Sequence, residues 1–185
     1  MAITMRDVRA YLDPEEPNYA AAAKSLGSEA IPFLLELVRG GDLGLASKAT
    51  YLASLIDSDK SVDVLEAAAA TNEPILRVAA ASGIQHLKPA HAERVLETLK
   101  SDPDPGVRKV MVKSAARVSS PRVSAVLKQI AQSDPEPFVR RAIVSPLTTP
   151  KTTARKARKT AKITAPRKAR KKSGKARKAA RTKKK

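Results

Sequence analysis

Residues 101–108 read Ser-Asp-Pro-Asp-Pro-Gly-Val-Arg, and residues 133–140 read Ser-Asp-Pro-Glu-Pro-Phe-Val-Arg. Each stretch is a polar turn that opens a helix. The carboxylate of Asp104 or Asp102 is placed to accept from the unpaired N–H groups of the first helical turn. Pro105 lacks the N–H that would have no partner at that position. Acidic side chains before the helix also suit the positive end of its dipole. Both stretches end on Val-Arg, which begins the apolar pattern of the following helix.

Working outward, the same columns recur along the chain. Arg77, Arg108 and Arg140 lie 31 and 32 residues apart, and Pro74, Pro105 and Pro137 keep the same offsets. Leu34, Leu65, Leu96 and Leu127 follow at 31 each, as do Ala53, Ile84 and Ala115, and Ile56, Leu87 and Val118. Such a period is the mark of a repeat architecture. Each unit reads as two helices joined by the polar turn. The pattern predicts helices at 5–12, 18–26, 29–39, 43–57, 60–70, 74–87, 90–100, 105–118, 121–132 and 137–145, about five hairpins. Ser145-Pro146 is expected to stop the last one.

The segments Asp102-Pro-Asp-Pro-Gly-Val-Arg and Asp134-Pro-Glu-Pro-Phe-Val-Arg-Arg-Ala resemble the inter-helix turn of HEAT repeats, and the period matches the short bacterial and archaeal type. The resemblance extends over residues 12–146. It thins around Gly40-Gly41, where the Pro and Arg are missing and Ala46 stands in the Arg column. A first unit runs from Asp13-Pro-Glu-Glu-Pro through Leu26-Gly27. The resemblance implies an all-α, right-handed α-solenoid with a concave face for protein or nucleic-acid contacts. The periodicity alone implies stacked helical hairpins.

Composition agrees. The chain has no Trp, two Phe and three Tyr, so Ala, Leu, Val and Ile must fill the core. Ala is the best helix former and permits close helix packing. The absence of Cys excludes disulfides, thiolate metal sites and a Cys nucleophile. The first residues lack the apolar region of a secretory signal, and no run is long enough to span a bilayer. A soluble intracellular protein is expected.

Charge divides the chain. The first 150 residues hold 18 basic and 18 acidic side chains, while the last 35 hold 18 Lys or Arg and no acid. The expected division is 1–149 as solenoid and 150–185 as a tail that is disordered when free. Its cations are Lys151, Arg155, Lys156, Arg158, Lys159, Lys162, Arg167, Lys168, Arg170, Lys171, Lys172, Lys175, Arg177, Lys178, Arg181, Lys183, Lys184 and Lys185. A free polycation binds polyanions by releasing their counterions, so the affinity falls steeply with salt. No aromatic is present there to stack on bases, so contact with nucleic acid is expected to be independent of sequence. The composition resembles the Lys/Ala-rich tails of linker histones and of histone-like nucleoid proteins. Within the body, residues 1–90 sum to −4 and residues 91–150 to +4.

Other candidates have plain structural readings. Arg77, Arg108 and Arg140 invite a phosphate ladder, but HEAT-like arginines typically pair with turn acids, and Asp102 and Asp134 are available. Lys109, Lys113 and Arg117 fall on one helical stripe, which reads by default as a solvated face; with Arg141 they are the candidates for an auxiliary basic patch. His86 and His91 flank Lys88-Pro89 and do not share a helical face, so no metal site is expected. Asp13, Glu15 and Glu16 read as turn acids. Tyr11, Tyr19 and Tyr51 read as packing residues. The HEAT-like alkylpurine DNA glycosylases use a Trp that this chain lacks, and the HEAT-like phycobilin lyases share only the repeat.

The expectation is therefore a protein that is not an enzyme, without cofactor, metal, membrane or small-molecule ligand. It would bind double-stranded DNA non-specifically through its tail, at the nucleoid of a prokaryotic cytoplasm or in a eukaryotic nucleus. The alternative is a protein-interaction scaffold whose tail is an address or solubiliser.

Overall fold

A computed structural model describes residues 3–147. They form ten α-helices and no strand. The helices are α1 (Met5–Leu12), α2 (Tyr19–Leu26), α3 (Ile31–Arg39), α4 (Leu43–Leu55), α5 (Ser61–Ala69), α6 (Pro74–Gly83), α7 (Pro89–Leu99), α8 (Pro105–Ala115), α9 (Pro121–Ser133) and α10 (Pro137–Leu147). Short 3₁₀ segments cover Gly27–Ala30 and Ile84–His86. The helices pair into five hairpins. First helices stack on first helices and second helices on second, so the described chain is a two-layer solenoid.

The local signals work as the sequence suggests, with some exchanges of role. Thr4 and Asp7 close a capping box on α1. Asp42 caps α4, Asp104 caps α8 and Ser120 caps α9. Proline stands in the first turn of α3, α6, α7, α8 and α9. Gly41 takes a left-handed φ of 83° in the turn between α3 and α4, a conformation that L side chains resist.

Several helices end earlier than the periodicity predicts. α4 stops at Leu55, α6 at Gly83 and α8 at Ala115. The apolar Ile56, Leu87 and Val118 that extended the pattern sit in the connections and pack onto the core from there. α10 instead continues through Pro146 to Leu147, past the expected stop. A proline in a last turn removes only its own backbone bond.

The core is continuous from Val8 to Ile143 and contains no aromatic side chain among its fully buried members. Ala46, Ala49, Ala53, Ala68, Ala80, Ala81, Ala92 and Ala115 are buried, so helices approach closely. The tightest contact is at Gly83. A Cβ there would lie 2.7 Å from Leu65 Cδ2 and 2.8 Å from Ser54 Cβ. Glycine is thus required for α6 to lie against α4 and α5.

Candidate functional site

Two features stand out on this frame, one buried and one on the surface. The buried feature is a ladder of arginines. Arg77 on α6 donates Nε to Asp102 Oδ2 at 2.7 Å and Nη2 to Asp102 Oδ1 at 3.3 Å. Its Nη1 donates to the Thr71 carbonyl at 3.1 Å. Arg108 on α8 repeats this arrangement, with Nε to Asp134 Oδ2 at 2.8 Å, Nη2 to Asp134 Oδ1 at 3.1 Å and Nη1 to the Asp102 carbonyl at 2.7 Å. Each arginine therefore joins its own turn to the aspartate of the next unit's turn. Each aspartate is itself oriented by a backbone amide, from Asp104 and Glu136, both at 2.9 Å.

Both pairs are buried. Such forked, charge-assisted bonds are strong and fix geometry. Burial pushes Asp134 up, but the Arg108 guanidinium, the Glu136 amide and the Arg140 charge outweigh it and hold the carboxyl below its ordinary value. Asp104, not Asp102, caps α8, because Asp102 is engaged by Arg77. Arg77 and Arg108 are spent within the fold and face no outside phosphate.

The surface feature runs across four units. Tyr19 at the start of α2 meets Tyr51 on α4 edge-to-face, with centroids 5.0 Å apart. Tyr51 meets the His86 ring edge-to-face at 5.8 Å, and its Oη lies 3.5 Å from His86 Nε2. Beyond them Arg117, just past the end of α8, donates to Gln85 Oε1. Partial desolvation of the ring, and then the Arg117 charge, lower the His86 pKa, which favours the neutral imidazole. The two tyrosines are half-buried, while His86 and Arg117 are exposed.

Beside this row lies a cavity of about 240 Å³ lined by Ser54, Asp57, Ser58, His86, Lys88 and His91, among others. His86 and His91, which share no helical face, thus line one hollow because the chain turns back between them. Lys88 Nζ is held by Asp59 at 3.0 Å and Asp57 at 3.3 Å, which raises Lys88 and lowers Asp59. Among the described residues no three His, Cys, Asp or Glu side chains gather where a metal could bind.

Of the expected basic patch, Lys109 and Lys113 lie on α8, Arg117 just past its end and Arg141 on α10. Lys113 on α8 and Arg141 on α10 are exposed. Lys109 Nζ sits 5.5 Å above the Phe138 ring, a cation–π contact between α8 and α10. Arg117 donates to Gln85. The eighteen tail cations lie outside the described residues. No described helix is long and apolar enough to cross a membrane.

With this geometry in view, comparison with known proteins is informative. Residues 62–148 match the HEAT repeats family model. That span begins in α5 and takes in both arginine–aspartate pairs. The match covers the last three hairpins, where the turn sequences resemble those of HEAT repeats. A solved structure, the complex of CpcE and CpcF of phycocyanin lyase from Nostoc sp. PCC7120, has the same fold. The TM-score is 0.61 at 23% identity, and the match covers 78% of this chain and 98% of that one. No curated protein matches the sequence.

The structural match corrects one expectation. The chain was expected not to be an enzyme, yet a chain of the same fold belongs to a lyase complex. A HEAT-type solenoid therefore gives no ground for excluding catalysis. Neither match supports binding to DNA.

Proposed function

We propose that the chain is a HEAT-repeat scaffold that binds a protein partner on the row Tyr19, Tyr51, His86 and Arg117. The row carries the reading. It presents aromatic and arginine side chains, the types that anchor protein interfaces, across four consecutive units. Mutual edge-to-face packing pre-orders the rings, so little rotamer entropy is lost when a partner covers them. Ser58, Lys88 and His91 beside the row offer polar groups to the same partner. That the solved structure of similar fold is a complex of two proteins supports the reading. The scaffold role is compatible with part of a catalytic assembly.

The test is affinity capture with the full-length chain and with Tyr51→Ala and Arg117→Glu. A defined set of proteins is expected on the parent chain and reduced at least tenfold on both variants. Equal capture by all three would remove the row from the interface.

A second reading concerns residues 151–185 alone, whose 18 cations face no acid in that stretch. Their charge favours a polyanion, and contact with six phosphates would give a log–log salt slope of about −5 on duplex DNA. Gel-shift affinity at two salt concentrations, unchanged on removal of the tail, would end that reading.

A further inference from the structure

The arginine ladder has a last rung that lacks a carboxylate among the described residues. Arg140 on α10 stands in the column of Arg77 and Arg108. Its Nη1 already makes the own-turn contacts, donating to the carbonyls of Asp134 and Pro135. In the two complete rungs, Nε and Nη2 hold the aspartate of the following turn. For Arg140 no such carboxylate is present among the described residues. Residues 137–185 contain no Asp or Glu. The nearest buried carboxylate, Asp134, is engaged by Arg108. The surrounding charge agrees, since α9 and α10 carry Arg122, Lys128, Arg140 and Arg141.

Resting on the scaffold reading above, we propose that the end of the solenoid at α10 is a second docking site. Arg140 there donates Nε–H and Nη2–H to the carboxylate of an acidic turn supplied by a partner protein. The occupant is a carboxylate because the same guanidinium, anchored through the same Nη1, takes one twice within the fold. Planar fork-to-fork pairing of Nε and Nη2 with two oxygens is the geometry already built. A turn of the type Asp-Pro-Glu-Pro, which follows Ser133 in this chain, presents its aspartate in the required way. The partner would continue the stack by one unit, as neighbouring repeats do.

The probe is a blocked heptapeptide, Gln-Ser-Asp-Pro-Glu-Pro-Phe, titrated into the full-length protein while the Arg140 Nε–H signal is followed by NMR. A saturable shift of that signal is expected. Affinity should fall about tenfold with Arg140→Ala, or with Asn in place of the peptide's Asp, as loss of a charge-assisted pair implies. Arg141→Ala, an equal loss of charge, should change affinity less than twofold. Arg140→Lys, which keeps the charge without the fork, should weaken binding nearly as much as Arg140→Ala. Thermal melts of each variant establish that the solenoid remains folded. Equal weakening by Arg140→Ala and Arg141→Ala would overturn the proposal, reducing it to bulk attraction. So would saturation of Arg140 by inorganic phosphate or a DNA duplex but not by the peptide. Failure here with capture by the Tyr51 row intact leaves the scaffold reading standing.

Discussion

The first hairpin's loop is tied to α4 by one lysine, whereas from α6 to α10 the stack is joined by buried ion pairs. Lys48 Nζ donates to the Leu12 carbonyl at 2.9 Å and the Pro14 carbonyl at 2.8 Å. It thereby ties the first hairpin's loop to the second hairpin. Arg77–Asp102 and Arg108–Asp134 do the corresponding task further on, with carboxylates in place of carbonyls. The joint between α4 and α6 uses neither. Ala46 stands in the Arg column, and the helices instead close to contact at Gly83. One repeat fold thus sets its register in three ways. The cost of breaking each should follow how deeply its polar groups are buried.

The largest effect is expected at the ion pairs. Arg108→Ala leaves Asp134 buried and uncompensated, which costs about 3–5 kcal/mol, and urea unfolding measures it. Part of that cost should depend on pH. Asp134 has a lowered folded pKa, so its contribution is present above the unfolded value near 3.9 and is lost as pH falls through the folded value. Asp134→Asn should flatten the fall in stability below about pH 4, whereas an unchanged acid limb would remove Asp134 from the account.

The close-packed joint should respond next. Gly83→Ala places a methyl group against Leu65 and Ser54, and overpacking of this kind costs about 1–3 kcal/mol. A raised melting temperature would show that α6 has room the geometry denies. The smallest effect is expected at the lysine. Lys48→Met removes two bonds at a partly exposed site, about 1–2 kcal/mol by denaturant melts. A loss as large as that of Arg108→Ala would erase the distinction between the two ends.

The fold of the later units was legible because one chemistry repeats at one spacing: Pro opens the second helix, and Arg follows three residues on. The first unit was harder, since its second helix begins only at Tyr19, after the Asp13–Pro17 loop, and is out of phase with Asp42. The role of Asp102 was open in the sequence, because a turn acid can cap its own helix or reach across to the unit before it. Only the packing of α6 against α8 decides between these. His86 and His91 looked unrelated on a helical wheel, yet the wheel does not apply across the turn at Lys88 that brings both to one cavity. The Tyr19–Tyr51 pair was visible in principle, lying 32 residues apart, close to the arginine spacing. The polycationic stretch 151–185 remains known by its charge alone.

The most direct test of the scaffold account is capture under nuclease, comparing the full-length chain, residues 1–149 and full-length Tyr51→Ala/Arg117→Glu. The account predicts that the same proteins are retained by the first two after nuclease treatment and lost from the third. Capture that collapses with nuclease or with tail removal, and is indifferent to Tyr51 and Arg117, would contradict it.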